Sequence, residues 1–138
     1  VTPVAPYFHS RSLQTAHSAL WQGLRRLGLG PEVAGYRRVE RTLSRAVERI
    51  EGTAHASIVT GWDNTPRSGR RGLVLTGYRR DSFIRAVQNA LAHERTNPMP
   101  MLFVKSWNEW AEGNVLEDRF EQRWSAGETL RDLLGPRS

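Results

Sequence analysis

The sequence predicts an α/β fold in which parallel strands alternate with helices. Four segments show the apolar spacing of helices, and two short apolar runs of strand type lie among them. Each of these runs is followed by an unusual group of polar and aromatic residues, at 61–67 and at 107–114. In parallel sheets, functional residues lie just beyond the carboxyl ends of the strands. The position of the two groups therefore agrees with a parallel α/β fold.

The composition describes an ordinary globular chain. Its 138 residues allow one domain with a core, and 38% hydrophobic with 25% charged residues is typical of a folded protein. The net charge of +6 comes almost wholly from arginine, since Lys105 is the only lysine. The basic residues are scattered and no aromatic stripe joins them, so we predict no nucleic-acid partner.

Cysteine and long apolar runs are both absent from the sequence. The chain therefore forms no disulfide and is predicted to have no membrane span. Its first residues, from Val1, show neither an initiator methionine nor the pattern of a signal peptide. We interpret the chain as part of a longer protein and expect a cytoplasmic location.

The first half of the chain is predicted to contain two helices and one strand. Helical spacing over residues 12–27 is stopped by Gly-Leu-Gly-Pro, and this helix falls in an N-terminal segment, 1–35, that we leave unassigned. A second helix is predicted over residues 36–50. Residues 54–60 have the composition of a strand, which we extend to Trp62.

The second half adds two helices and one strand. The predicted order is a loop over 63–80, a helix from Asp81 or Ser82 to about His93, a strand over 101–107, a loop over 108–118 and a helix over about 119–134. Trp124 lies at helical spacing in the last helix, as Trp21 does in the first, and both are expected in the core. A loop as long as 63–80 inside a compact chain is more often functional than idle.

The stretch 105–114 carries the residue types expected of a sugar site. It contains two tryptophans, two asparagines and two carboxylates three residues apart, namely Trp107, Trp110, Asn108, Asn114, Glu109 and Glu112. Indole faces pack on pyranose rings, amides bind hydroxyls, and carboxyl groups act on a glycosidic oxygen. A turned backbone at the strand end would let Glu109 and Glu112 face one cavity. The alternative is an exposed loop with two solvated acids.

The group at residues 61–67 supplies further candidates. Asp63 and Asn64 are predicted to bind sugar hydroxyls or to orient a catalytic glutamate, and the alternative is that they cap a turn. Arg67 is a candidate for binding a carboxylate or phosphate of a substrate or donor. Trp62 joins the two later tryptophans as a candidate for stacking on sugar, with one of the three expected in the core.

The histidines give no sign of a metal site. The four are spread along the sequence without an i,i+4 pair or a neighbouring set of carboxylates, which zinc sites usually draw on. A glycine loop of the phosphate-binding type is absent as well. We predict neither a metal nor a cofactor.

Two motifs together resemble the C-terminal part of the WbsX family, which comprises glycosyltransferase-like proteins of lipopolysaccharide biosynthesis with a domain similar to glycoside hydrolase family 99. The motifs are Gly-Trp-Asp-Asn-Thr-Pro-Arg at 61–67 and Trp-Asn-Glu-Trp-Ala-Glu-Gly-Asn-Val-Leu-Glu at 107–117. The resemblance covers about residues 36–134. It implies that 36–138 is the C-terminal portion of a (β/α)₈ TIM barrel, a fold that needs about 200 residues or more.

The resemblance also implies roles for the two acids. By similarity to the related endo-α-mannosidases, Glu109 would act as a base on the sugar 2-hydroxyl, through a 1,2-anhydro sugar. Glu112 would be the general acid or base at the leaving oxygen. The sequence departs from the family after Glu117, where the usual Leu-Glu-Pro-Asp lacks its proline. We therefore assign Glu117 no role.

The resulting prediction is an enzyme of the WbsX type that forms or cleaves glycosidic bonds in a bacterial surface polysaccharide. Its expected partner is a polysaccharide or oligosaccharide substrate, with a nucleotide-sugar or lipid-linked donor left open. Two alternatives also stay open, an endo-acting glycoside hydrolase and a non-catalytic polysaccharide-binding module. Because half of the pocket wall would lie elsewhere in a longer protein, the 138-residue chain alone is expected to have little or no activity.

Overall fold

A computed structural model describes residue 27 and residues 30–50, 53–118 and 123–135. Within these ranges the strands are β1 (Glu32–Gly35), β2 (Ser57–Val59), β3 (Leu73–Thr76), β4 (Phe103–Lys105), β5 (Asn108–Glu109) and β6 (Asn114–Val115). The helices are α1 (Tyr36–Glu48), α2 (Thr65–Ser68), α3 (Arg80–Glu94) and α4 (Ala126–Leu134), and two 3-10 turns span Gly69–Arg71 and Trp110–Glu112.

The strands of the described residues pair two by two. β1 lies parallel to β3, and β2 lies parallel to β4, with Ile58 beside Val104. β5 and β6 form an antiparallel hairpin around the second 3-10 turn. The connection from β2 to β4 contains α2, β3 and α3, and it supplies the long crossover that a parallel pair requires. The described residues form no closed barrel, and the (β/α)₈ barrel stays a prediction.

Helices α1 and α3 pack on β2 through their apolar faces. α1 buries Tyr36, Val39 and Leu43, whose spacing places them on one side of the helix. Each buried large apolar side chain stabilises the fold by roughly 1.5–3 kcal/mol. The Tyr36 hydroxyl also donates to the Val59 carbonyl at 2.7 Å, which joins α1 to the last residue of β2. None of the helices in the described ranges is long and apolar enough to cross a membrane.

An aromatic cluster extends the core beyond the strand ends. The Tyr78 ring lies 5.0 Å from Tyr36, 5.3 Å from Trp124 and 5.9 Å from Phe83, measured between ring centroids. Trp124 therefore packs against the core, as the sequence predicts. Its predicted place within a helix is wrong, because α4 begins at Ala126. The Ser125 hydroxyl caps that helix by accepting a hydrogen bond from the Glu128 amide at 3.0 Å.

Four predicted elements are confirmed, whereas the predicted loops and the predicted start of the last helix are wrong. α1, β2, α3 and β4 form close to the predicted positions, although α3 is capped by Arg79 rather than by Asp81 or Ser82. The predicted loop 63–80 instead contains α2, a 3-10 turn and β3. β1 and the β5–β6 hairpin were likewise not predicted. The predicted helix 12–27, apart from Leu27, and Trp21 lie outside the described residues.

Buried Glu94 ties together the amino ends of β2 and β4. Its carboxylate accepts hydrogen bonds from the Ala56 amide and, at 2.9 Å, from the Met101 amide, both of which lie just before the strands. His55 and Asn97 contact the same carboxylate at 3.0 Å. Burial raises the pKa of the Glu94 carboxyl, but these hydrogen bonds outweigh it and bring the pKa to about 2. An ionised carboxylate therefore fixes the two strands at one end.

Candidate functional site

The two polar segments that follow β2 and β4 lie against each other. The Asp63 amide donates to the Glu112 carbonyl at 2.8 Å, and the Asn114 side-chain amide donates to the Gly61 carbonyl. Gly113 packs so closely that an added Cβ would lie 3.1 Å from the Asp63 nitrogen. The two segments therefore share one surface at the carboxyl ends of the strands.

Ser106 organises the β5–β6 hairpin. Its hydroxyl accepts a hydrogen bond from the Glu109 amide at 3.2 Å and donates to the Asn114 carbonyl at 2.6 Å. The peptide bond between Lys105 and Ser106 is cis. Asn114 is fully buried, so the hairpin is anchored at its second strand while Glu109, on its first strand, is exposed. One hydroxyl thus positions the backbone on both sides of the turn that carries Glu112.

The Glu112 carboxylate lies between two cations. Arg67 Nη1 is 3.5 Å from one of its oxygens, and Lys105 Nζ is 3.7 Å from the other. The Glu112 side chain is 18% exposed, and Lys105 Nζ also lies 4.8 Å from the centre of the Trp62 ring. The carboxylate is therefore restrained yet reachable from solvent. A carboxyl group in this position can exchange a proton with an oxygen of a bound molecule.

Asp63 and Asn64 make the contacts of the turn-capping alternative. Asp63 Oδ1 accepts hydrogen bonds from the Thr65 amide at 3.0 Å and from its hydroxyl at 2.6 Å. Asn64 Oδ1 accepts from the Leu73 amide at 2.6 Å, which ties the start of α2 to β3. These bonds hold the segment in place beside Glu112. Binding of sugar hydroxyls by Asp63 and Asn64 stays a prediction.

The three candidate tryptophans divide into two environments. Trp62 is partly buried and packs against the core, which agrees with the expectation that one of the three does so. Trp107 and Trp110 are 65% and 57% exposed. Asn108 and Glu109, between these two indoles, are exposed as well. The hairpin thus presents two open indoles, an amide and a carboxylate on the surface that Glu112 shares.

Sequence reasoning missed the contacts of four residues that build this surface. Lys105, Ser106 and Gly113 were given no role, and Asn114 was considered only as an amide for sugar hydroxyls. For Lys105 a signal was present, because it is the only lysine among 20 basic residues. The roles of the other three depend on contacts with residues about fifty positions away or across the hairpin, which the sequence does not reveal.

The described histidines serve the fold. No set of carboxylates neighbours His55 in the sequence, yet the fold brings its Nδ1 to 3.0 Å from Glu94. His93 Nε2 contacts the Ala54 carbonyl at 3.0 Å. In the part of the chain that the structure covers, no group of three or more histidine, aspartate or glutamate residues is arranged to hold a metal ion.

The chain matches the family described as "Glycosyltransferase WbsX" over residues 6–125. The match begins about thirty residues before residue 36, where the resemblance found in the sequence begins. Residues of the N-terminal segment that the sequence analysis left unassigned are therefore part of the same family pattern.

Two relatives from Xanthomonas campestris pv. campestris, both titled "Uncharacterized protein WxcX", are similar to the chain. The protein of strain B100 is 37% identical over 84 residues, which is 56% of this chain and 12% of that protein. The protein of strain ATCC 33913 is 34% identical over 90 residues, 62% of this chain and 13% of that protein. The chain thus matches about an eighth of the length of these relatives. No solved structure matches it significantly.

Proposed function

Because the chain belongs to the WbsX glycosyltransferase family, we propose that it supplies part of a saccharide site at which glycosidic bonds are formed or cleaved. The observation that carries this proposal is the position of the Glu112 carboxylate. It lies at the carboxyl ends of two parallel strands, is held between Arg67 and Lys105, and remains 18% exposed. Carboxylates at this end of parallel strands are typical of catalytic sites.

Glu112 is assigned the role of general acid or base at the glycosidic oxygen. Its backbone is fixed by the Asp63 amide, and the Ser106 hydroxyl binds the backbone on both sides of its turn. Such restraint matters because proton transfer requires the two heavy atoms to lie about 3 Å apart. Glu109 is assigned the base that acts on the sugar 2-hydroxyl. Its exposure leaves it open to contact with a substrate.

The proposed architecture is the last part of a (β/α)₈ barrel. Parallel sheets are normally covered on both faces. Met101 and Phe103, which lead into and lie on β4, are nevertheless exposed among the described residues. A barrel in the intact protein would cover this face. The proposed substrate is a bacterial surface polysaccharide of the lipopolysaccharide type, and glycosyl transfer and endo-acting hydrolysis both fit the same carboxylates.

A second candidate function is a non-catalytic polysaccharide-binding module. It is favoured by the exposure of Trp107 and Trp110, because two open indoles suffice to stack on sugar rings without any chemistry. In that case the glutamates would only accept hydrogen bonds from hydroxyls.

The variant Glu112→Gln in the intact protein separates the two functions. We expect turnover of an O-antigen oligosaccharide to fall by about 10²–10⁴-fold, because the amide cannot exchange a proton in the same way. Binding of the same oligosaccharide should change little, since glutamine keeps the size of the side chain. Glu128→Gln, an exposed change in α4, is the matched control and should leave both quantities unchanged. Binding without turnover in the unmutated protein would overturn the enzyme and favour the module.

A further inference from the structure

The two cations beside Glu112 are held to different degrees. The Lys105 side chain is 35% exposed, and its ammonium contacts both Glu112 and the Trp62 ring. The Arg67 side chain is 67% exposed and reaches Glu112 with one nitrogen at 3.5 Å, beyond the usual range of a hydrogen bond. An exposed ion pair of this kind contributes little to stability. Arg67 can therefore leave Glu112 at low cost, and Lys105 remains to neutralise the carboxylate.

Two further arginines lie on the turn that follows Arg67. Arg70 and Arg71 belong to the 3-10 turn after α2, and both are exposed. Residues 65–72 contain three arginines and no acidic residue. α2 packs against the 3-10 turn that carries Glu112, so this basic segment adjoins the candidate site. The nearby surface is therefore positive on the Arg67 side.

We propose that Arg67, together with Arg70 and Arg71, binds an anionic group of the saccharide or of its donor. The group is a carboxylate, as in a uronic acid, or a phosphoryl group, as in a sugar phosphate. A guanidinium binds either group through two parallel hydrogen bonds at about 2.8 Å, which is stronger than its single long contact with Glu112. Lys105 stays paired with Glu112 when Arg67 turns to the ligand. This inference rests on the proposed function and names the class of its substrate.

The test compares Arg67→Gln with a matched control in the intact protein. Arg131→Gln is suitable, because Arg131 is 72% exposed and also contacts a carboxylate, that of Asp132, at 3.5 Å. The probes are glucose, glucuronate and glucose 1-phosphate, titrated by ligand-observed NMR at low and at high salt. We expect Arg67→Gln to weaken binding of an acidic probe by roughly tenfold and to leave glucose unchanged, since only the acidic probe uses the guanidinium. Arg131→Gln should behave as the unmutated protein.

Comparison of glucuronate with glucose 1-phosphate distinguishes the two possible sources of the negative charge on the ligand. Preferential binding of glucuronate assigns a uronic acid, and preferential binding of glucose 1-phosphate assigns a phosphorylated sugar or donor. Affinity for the preferred probe should fall as salt rises, because an exposed charge pair is screened. Arg67→Lys should recover part of the loss, since lysine keeps the charge but lacks the planar fork.

Two results would overturn this inference. One is that glucose binds as tightly as both acidic probes, and the other is that Arg67→Gln and Arg131→Gln have equal effects. Neither result touches the turnover lost in Glu112→Gln, so failure of the anionic subsite and failure of the proposed function are observed separately.

Discussion

The two ends of the β2–β4 pair each carry a glutamate, and the contacts of the two carboxylates differ. At the amino ends, buried Glu94 accepts hydrogen bonds from two strand-leading amides and two side chains. At the carboxyl ends, Glu112 faces two cations at 3.5 and 3.7 Å and remains in part exposed. The contacts of Glu94 are short hydrogen bonds, which stabilise the fold. The contacts of Glu112 are long and can be replaced by those of a ligand, so its carboxylate stays available for binding.

The largest expected difference between the two glutamates is in stability. Because the folded pKa of Glu94 is about 2, below the ordinary value of 4.5, its ionised form stabilises the fold above pH 4.5. This stabilisation, about 3 kcal/mol from the shift, is lost as the pH falls toward 2. We expect Glu94→Gln to lower the free energy of unfolding by about that amount at pH 7, measured by urea denaturation.

Glu112→Gln is the control for this measurement. It should change the free energy of unfolding by only about 0–1 kcal/mol, because the two ion pairs of Glu112 are long and partly exposed to solvent. The difference between Glu94→Gln and the unmutated protein should also vanish near pH 2. If Glu94→Gln and Glu112→Gln destabilise the protein equally, the distinction between a structural carboxylate at Glu94 and a carboxylate available to ligands at Glu112 is wrong.

A smaller effect is expected where the candidate site meets the turn after β2. Gly113 has the left-handed conformation, with φ +55° and ψ +25°, and it lies against Asp63. Gly113→Ala introduces the left-handed strain of about 1–2 kcal/mol and also forces a backbone contact apart. We expect Gly113→Ala to destabilise the protein by about 2–3 kcal/mol, which is about 1 kcal/mol beyond the left-handed strain alone, measured by thermal unfolding. Destabilisation by about 1 kcal/mol or less would mean that the contact does not hold the segments together.

The smallest predicted effect concerns Glu40, whose replacement should raise the free energy of unfolding, whereas replacement of Glu94 should lower it. Burial raises the pKa of Glu40 to about 7, although a hydrogen bond with Tyr36 lowers it in part. Protonated Glu40 therefore stabilises the fold below pH 4.5, and this contribution is lost as the pH rises through 7. Because glutamine resembles the protonated form, Glu40→Gln should raise the free energy of unfolding at pH 8 by about 1–2 kcal/mol. The same variant should have no effect at pH 4.5, and destabilisation at pH 8 would contradict the assignment.

The sequence predicted the elements whose signals are local. α1 and α3 follow from helical spacing, and β2 and β4 from short apolar runs. β1 and β3 have four residues each and form through their mutual pairing, in which Val33 lies beside Val74. β1 has no local strand pattern, whereas residues 73–75 of β3 are a short apolar run near glycines that the loop prediction did not use. The start of α4 was readable, since Ser125 followed by Glu128 is a capping sequence that the periodicity argument did not use.

The candidate site was predictable in place but not in detail. The segments that contain Asp63 and Glu112 each follow a strand, and from this position we correctly predicted that they lie close together. The pairing of Glu112 with Lys105 and Arg67 was not predicted, because it depends on how two turns pack. The structural role of Glu94 was missed for the same reason, since its partners lie on two strands and a turn.

A crystal structure of the intact protein with a bound oligosaccharide would show whether Glu112 belongs to a saccharide site. We expect a sugar ring against Trp107 or Trp110 and a glycosidic oxygen about 3 Å from the Glu112 carboxylate. An oligosaccharide bound elsewhere on the protein, with no oxygen in contact with Glu112, would contradict this expectation.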